Sequence, residues 1–260
     1  MGHIVKDTDH WVIDVNSTTG RIFLQMRWKY NWQVRWGGHG GWSTQEKREF
    51  HRSVDRQIWA GWSNRVRLSV RGTSRFASRF RANRLPINLD VRWVTSNGHW
   101  DVNATKVGAS FEGRDFVNYD LQKVQLYTTS LAPSAVCNDP VVRPGMAAYH
   151  FLIPEAVLSN NLQLREAIID QTCTTGRTFS TPAHEFGHAI GTTNRDEYTA
   201  GSRHRRDTNS MLGIGRELRT RHFTDILNVL DTMIPNTTFE VAGIRNKKRC
   251  SDKWSASVGP

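Results

Sequence analysis

Residues 184–188 read His-Glu-Phe-Gly-His, and these side chains at this spacing suit one kind of chemistry. Residues four apart share one face of a helix, so His184 and His188 can turn imidazole nitrogens toward a single ion. Glu185 lies one position along, where its carboxylate can take a proton from a water bound to that ion. Zinc is the metal this chemistry predicts, because its catalytic sites use such ligands and keep one position open for water. The flanks fit a helix: Thr181 suits an N-cap, Pro182 a first turn and Gly191 a C-terminal stop. The competing reading is an ordinary buried helix that happens to carry two histidines. It leaves the agreement of cap, motif and stop without a reason.

Two histidines do not complete a catalytic zinc site, which usually takes three protein ligands. The chain continues Gly191-Thr192-Thr193-Asn194-Arg195-Asp196-Glu197-Tyr198, and Asn209-Ser210-Met211-Leu212-Gly213 follows downstream. In these residues it resembles the metzincin metallopeptidases, whose motif H-E-x-x-H-x-x-G-x-x-(H/D) precedes a methionine turn beneath the metal. Gly191 matches the family glycine and Ser210-Met211 matches the turn, although a methionine taken alone is more often a core filler. Strict counting puts Asn194 at the third-ligand position, and its neutral amide is a poor zinc ligand. In a snapalysin-like branch the motif ends G-x-x-D plus an aromatic residue. Asp196-Glu197-Tyr198 resembles that ending with two residues inserted. Asp196 is therefore the first choice for third ligand, with Glu197 and His222 as rivals.

The resemblance covers residues 181–230 and implies a zinc-dependent endopeptidase acting on a protein or peptide, with Glu185 as general base. Tyr198 or Arg219 would then assist the oxyanion. The H-E-x-x-H and D-E-Y-like pair also resembles toxin domains that bacterial secretion machines deliver. That likeness implies an antibacterial effector, cell-wall peptide as an alternative substrate, and a cognate immunity protein as partner.

The elements that must position these residues are read from periodicity and turn chemistry. Trp11–Val15 and Ile22–Trp28 alternate around the turn residues Asn16–Gly20, which predicts a hairpin. Ser43 with Glu46 forms a capping box opening a helix to about Trp62, with Phe50, Val54, Ile58 and Trp62 as its buried stripe, widened by Trp59. His51 on that helix reads as a satisfied histidine rather than a ligand. Residues 87–95 alternate as a strand, and Asn97-Gly98 predicts a second hairpin with a return strand from His99 to Asn103. Further strands are expected at 124–128 and 147–153, with a loop at 133–144 and helical segments at 154–158 and 162–169. A last helix begins near His222 or Thr224. The expected class is α+β, a zincin-like domain built of a long backing helix, mixed sheet, motif helix, methionine turn and C-terminal helix. Residues 1–36 are expected as an N-terminal hairpin extension, 37–235 as the catalytic domain, and 236–260 as a loosely ordered basic tail.

Composition narrows the partners. With 38% hydrophobic and 10% aromatic residues the chain is that of a folded domain, not a disordered one. Ten tryptophans, most of them within residues 11–100, predict a well-packed N-terminal half or an aromatic-lined groove. A net charge of +11 suits anionic partners such as cell-wall polymer, lipid surfaces or nucleic acid. The arginine-rich stretch Arg65–Arg84 raises the alternative function, a polyanion- or nucleic-acid-binding module with a structural metal, in which Phe76 and Phe80 stack on bases. The same stretch reads more simply as a basic edge strand and loop, so nucleic acid is not the expected partner. No run of residues reaches the apolar length of a membrane span, and residues 1–30 lack a signal core, so export by a secretion machine, or otherwise a cytoplasmic place, is expected. Cys137, Cys173 and Cys250 are too widely spaced for a zinc motif. Cys137 and Cys173 could pair, or all three remain thiols.

Overall fold

A computed structural model describes residues 2–109, 111, 115–131, 134–135, 178–191, 197, 202–204, 206–207, 209–213 and 215–246. Clean alternation of apolar and polar residues sets the sheet's central strand. In chain order the first strands are β1 (His3–Asp7), β2 (Val12–Asn16) and β3 (Ile22–Val34), and in β3 the residues Ile22, Leu24, Met26, Trp28 and Tyr30 are buried. The predicted first hairpin forms, with β2 and β3 antiparallel and the Asn16 side chain accepting from the Thr18 and Thr19 N–H groups in the turn. It is not an appendage. β3 runs through the middle of the sheet, parallel to β5 (Leu85–Val94) on one side and to β6 (Trp100–Lys106) on the other.

The second predicted hairpin does not form. Its two strands exist as β5 and β6, but β3 lies between them and all three run parallel. The link at 95–99 crosses β3: Arg27 N donates to His99 Nδ1 at 2.9 Å, and His99 N donates to Arg27 O at 2.8 Å. A Cβ on Gly98 would lie 2.8 Å from the Cβ of Lys29, so glycine lets one backbone pass over another. Asn97 takes φ +52°. Asn-Gly still makes a tight left-handed bend here, but the bend carries the chain across a strand instead of back along it.

The sheet is completed by β4 (Val66–Gly72), β7 (Phe116–Asn118), β8 (Lys123–Tyr127) and β11 (Thr237–Ile244), in the order β11-β4-β5-β3-β6-β8-β7. A separate short pair joins β9 (Ser134–Ala135) to β10 (Thr178–Phe179). Two expectations are corrected by this order. Residues 237–244 are not a loose tail; they form β11, antiparallel to β4, with Phe239 buried. The arginine-rich β4 is consequently not an edge. Phe76 and Phe80, on the short helix α2 (Arg75–Phe80), are buried, Phe76 against Phe239, so neither is free to stack on a base.

Helix α1 (Thr44–Trp62) carries the predicted capping box: Glu46 N donates to Ser43 Oγ at 3.2 Å and Ser43 N to Glu46 Oε2 at 2.8 Å. Phe50, Val54, Ile58 and Trp62 are buried, whereas Trp59 is 45% exposed and lies off the stripe. His51 is satisfied by the Tyr30 hydroxyl at 3.1 Å, among Trp93 and Tyr30 rings. Four of the ten tryptophans, Trp11, Trp28, Trp62 and Trp100, are buried in the core, whereas Trp36 and Trp59 are exposed. The other α-helices among the described residues are α3 (Thr181–Ala189) and α4 (Thr224–Met233), the latter entered through a 3₁₀ turn at Thr220–Phe223. The fold is α+β with a mixed sheet. The expected elements at 147–153, 154–158 and 162–169, most of the 133–144 loop and all three cysteines lie outside the described residues. Among the described residues no helix is long and apolar enough to cross a membrane.

Candidate active site

Helix α3 carries the motif, and every residue from Pro182 to Ala189 is buried. Its N-cap is Ser180, one residue before the expected Thr181. Ser180 makes no side-chain capping bond, and its hydroxyl donates to Gln57 Oε1 on α1 at 3.0 Å. Pro182 occupies the first turn as predicted, and Gly191 ends the helix with φ +95°, its N–H donating to His188 O at 3.2 Å. Trp62 at the end of α1 donates its indole N–H to Ala183 O at 2.7 Å. A Cβ on Gly187 would sit 2.7 Å from the Trp62 ring and 2.5 Å from Leu212. The motif's second variable position is therefore a contact surface: α3 is pressed between α1 and the 209–213 turn.

His184 and His188 bring their Nε2 atoms to 3.1 Å from each other. His184 Nδ1 lies 2.8 Å from Met211 O. A carbonyl only accepts, so the neutral ring carries its proton on Nδ1 and presents the Nε2 lone pair toward His188. Two imidazole nitrogens on one tetrahedral zinc, each at about 2.0–2.1 Å, stand about 3.3 Å apart, so the pair needs almost no movement to share an ion. A second-nitrogen bond to a backbone carbonyl is also what fixes the orientation of metal-binding histidines. On these grounds the residues fit zinc.

Glu185 is 6% exposed, and the group that shares its surroundings was not anticipated. Asp115 stands just before β7, with Oδ1 accepting from Tyr127 N at 2.9 Å. Burial, and secondarily the negative charge of Glu185, pushes its carboxyl up to about 8. No motif or spacing ties residue 115 to residue 185. The signal is the folded neighbourhood alone.

The rivals for third ligand have other work. Both Glu197 oxygens are held by the Arg221 fork, at 2.6 and 2.7 Å. Burial alone would raise the Glu197 carboxyl, but hydrogen bonds from Arg221, His222 and Ser210 outweigh it and hold it well below the usual carboxylate range. His222 accepts from Arg219 N through Nδ1 at 3.2 Å, which leaves its proton on Nε2, 3.1 Å from Ser210 Oγ and 3.4 Å from Glu197 Oε1. Its lone pair is thus spent on a backbone N–H. Arg219, expected near the oxyanion, instead grips both oxygens of Asp207 at 2.7 Å and reaches Glu217 at 2.9 Å. Asp196, Asn194 and Tyr198 lie outside the described residues, and among the described residues no group of three His, Cys, Asp or Glu side chains could hold a metal. No family model, no curated protein and no solved structure matches the chain.

Proposed function

We propose that this chain is a zinc-dependent endopeptidase, with His184 and His188 as metal ligands, Asp196 as the third, and Glu185 as general base. The observation that carries the reading is the approach of two imidazole Nε2 atoms to 3.1 Å on one helix face, one ring tautomer fixed by a carbonyl, with a buried carboxylate at the next position. The element order supports it: a long helix behind the motif helix, a mixed sheet, a methionine in the following turn, then a C-terminal helix. Zinc held there would polarise the scissile carbonyl and stabilise the developing oxyanion. Glu185 takes the proton of the attacking water on its carboxylate and returns it to the leaving amine. Asp115, kept neutral by burial, adds no second charge beside that base.

The test is zinc content together with cleavage of an unstructured protein such as casein. Glu185→Gln should keep its zinc and lose about 10²–10⁴-fold in rate. Equal cleavage by variant and parent would sink the mechanism. The polyanion reading is weakened by the burial of Phe76 and Phe80. A salt-dependent gel shift that survives a chelator, with no cleavage, would restore it. An effector role with an immunity protein, on a protein or cell-wall peptide, remains the proposal that the residue resemblance implies.

A further inference from the structure

The turn at 209–213 is held from both flanks by backbone hydrogen bonds. Of its carbonyls, Ser210 O accepts from the N–H groups of Gly213 and Gly215, and Leu212 O accepts from Glu197 N at 2.8 Å. Met211 O is the one turned to His184 Nδ1, at 2.8 Å. The peptide that carries this carbonyl is held at its other end, where Leu212 N donates to Ser210 Oγ at 3.3 Å, and the preceding peptide is held by Met211 N donating to Glu217 O at 2.8 Å. Glu197 links the turn to the rest of the molecule: its backbone bonds Leu212 while its carboxylate, 5% exposed, is clamped by Arg221. Arg221 also spans to Asp207 Oδ2 at 2.7 Å. A buried, two-pronged, charge-assisted pair of this kind is geometrically stiff. The stiffness is delivered to one atom, the carbonyl oxygen that decides which His184 nitrogen carries the proton.

We infer that Glu197 and Arg221 are positioning residues for His184, setting metal affinity through the Met211 carbonyl without touching the ion. The inference rests on the metallopeptidase reading above. Cutting the pair frees the turn, lets His184 rotate or change tautomer, and weakens the site even though both ligand histidines remain. Outer partners of metal ligands typically change metal affinity by about 10–100-fold when removed.

The experiment compares the parent chain with Glu197→Gln, Arg221→Ala and Arg221→Lys. Zinc affinity is measured by competition with a chelator, the absorption spectrum is recorded at saturating cobalt(II), and the melt is taken without metal. The inference expects zinc binding about 10–100-fold weaker in Glu197→Gln and Arg221→Ala, with a saturated cobalt spectrum like the parent's. Arg221→Lys keeps the charge but not the fork, so it should fall between, and it decides the matter if Arg221→Ala does not fold. A lower melt with parent-like zinc affinity would make the pair structural only and overturn the inference. A changed cobalt spectrum in Glu197→Gln would make Glu197 a ligand and overturn it too. A parent that takes up no metal overturns the peptidase reading and this inference together.

Discussion

Asp115 shows what a buried acid beside the Glu185 carboxylate does to the molecule's response to pH. Its folded-state carboxyl is raised from 3.8 to about 8, first by burial and then by the Glu185 charge. The folded protein therefore favours the neutral acid. Any stability this confers is complete below 3.8, declines as pH rises, and is gone above about 8, where the buried group must ionise. Asn at 115 can still accept from the Tyr127 N–H and has no proton to lose. Melting temperature measured with chelator present between pH 4 and 9 should fall more steeply for the parent than for Asp115→Asn over that window. Superimposable curves would place Asp115 in water rather than in the core. A second raised acid, Asp55 at about 7 through burial and its Asp90 neighbour, titrates in both proteins and cancels in the difference.

At the scale of elements, the seat of the motif helix depends on one residue without bulk, Gly187, where α3 meets α1 and the following turn. A methyl on Gly187 would meet Leu212 at 2.5 Å and the Trp62 ring at 2.7 Å, both in fully packed surroundings. Gly187→Ala should cost about 1–3 kcal/mol by overpacking, read as a lower denaturation midpoint, and should weaken zinc binding as α3 tilts. A variant as stable as the parent would mean that α3 is not wedged between these groups. Features of this kind divide what the residues alone reveal from what they hide. The α1 capping box and stripe, the first hairpin and the Gly191 stop were legible because each is a local arrangement, complete within a turn or two of chain. Asn97-Gly98 was misleading because it specifies a backbone bend, and a bend does not say which strand lies alongside. Glu197 and His222 were plausible ligands by type. Only the folded neighbourhood shows that Arg221 and the Arg219 N–H have already claimed them. Asp115 left no trace in the order of residues at all.

For the whole molecule, the last described strand brings residues 237–244 into the same sheet as β1 to β3. β11 covers β4, and Phe239 inserts beside Phe76. Arg65 then binds Arg245 O, Asn246 Oδ1, Gly61 O and Arg216 O, drawing the end of α1, the segment before the 3₁₀ turn and the end of β11 together. Phe239→Ala should cost about 3–5 kcal/mol, and a chain ending at Asn236 should lose its cooperative melt. A truncated chain that melts like the parent would show β11 to be dispensable. On the proposed zinc reading, metal would add at this scale too. If zinc is present at 100 times its Kd, chelation removes about 2.7 kcal/mol, a fall in melting temperature that His184→Ala should reproduce.

The passage of residues 95–99 over β3 also has a meaning in time. β3 precedes in the chain the strands that flank it along most of its length, residues 87–94 and 100–106, and so emerges before them. A nascent chain that stops short of them leaves Ile22 and Leu24 paired only with β2, and Met26 and Trp28 with no strand on either side. The second flank can be laid down only after the first has docked and the link has gone across. Assembly is thus sequential and dominated by distant pairings, which is the regime of slow folding and of sticky partly built species. A cell making this protein would meet its greatest risk of aggregation before the motif helix has been synthesised.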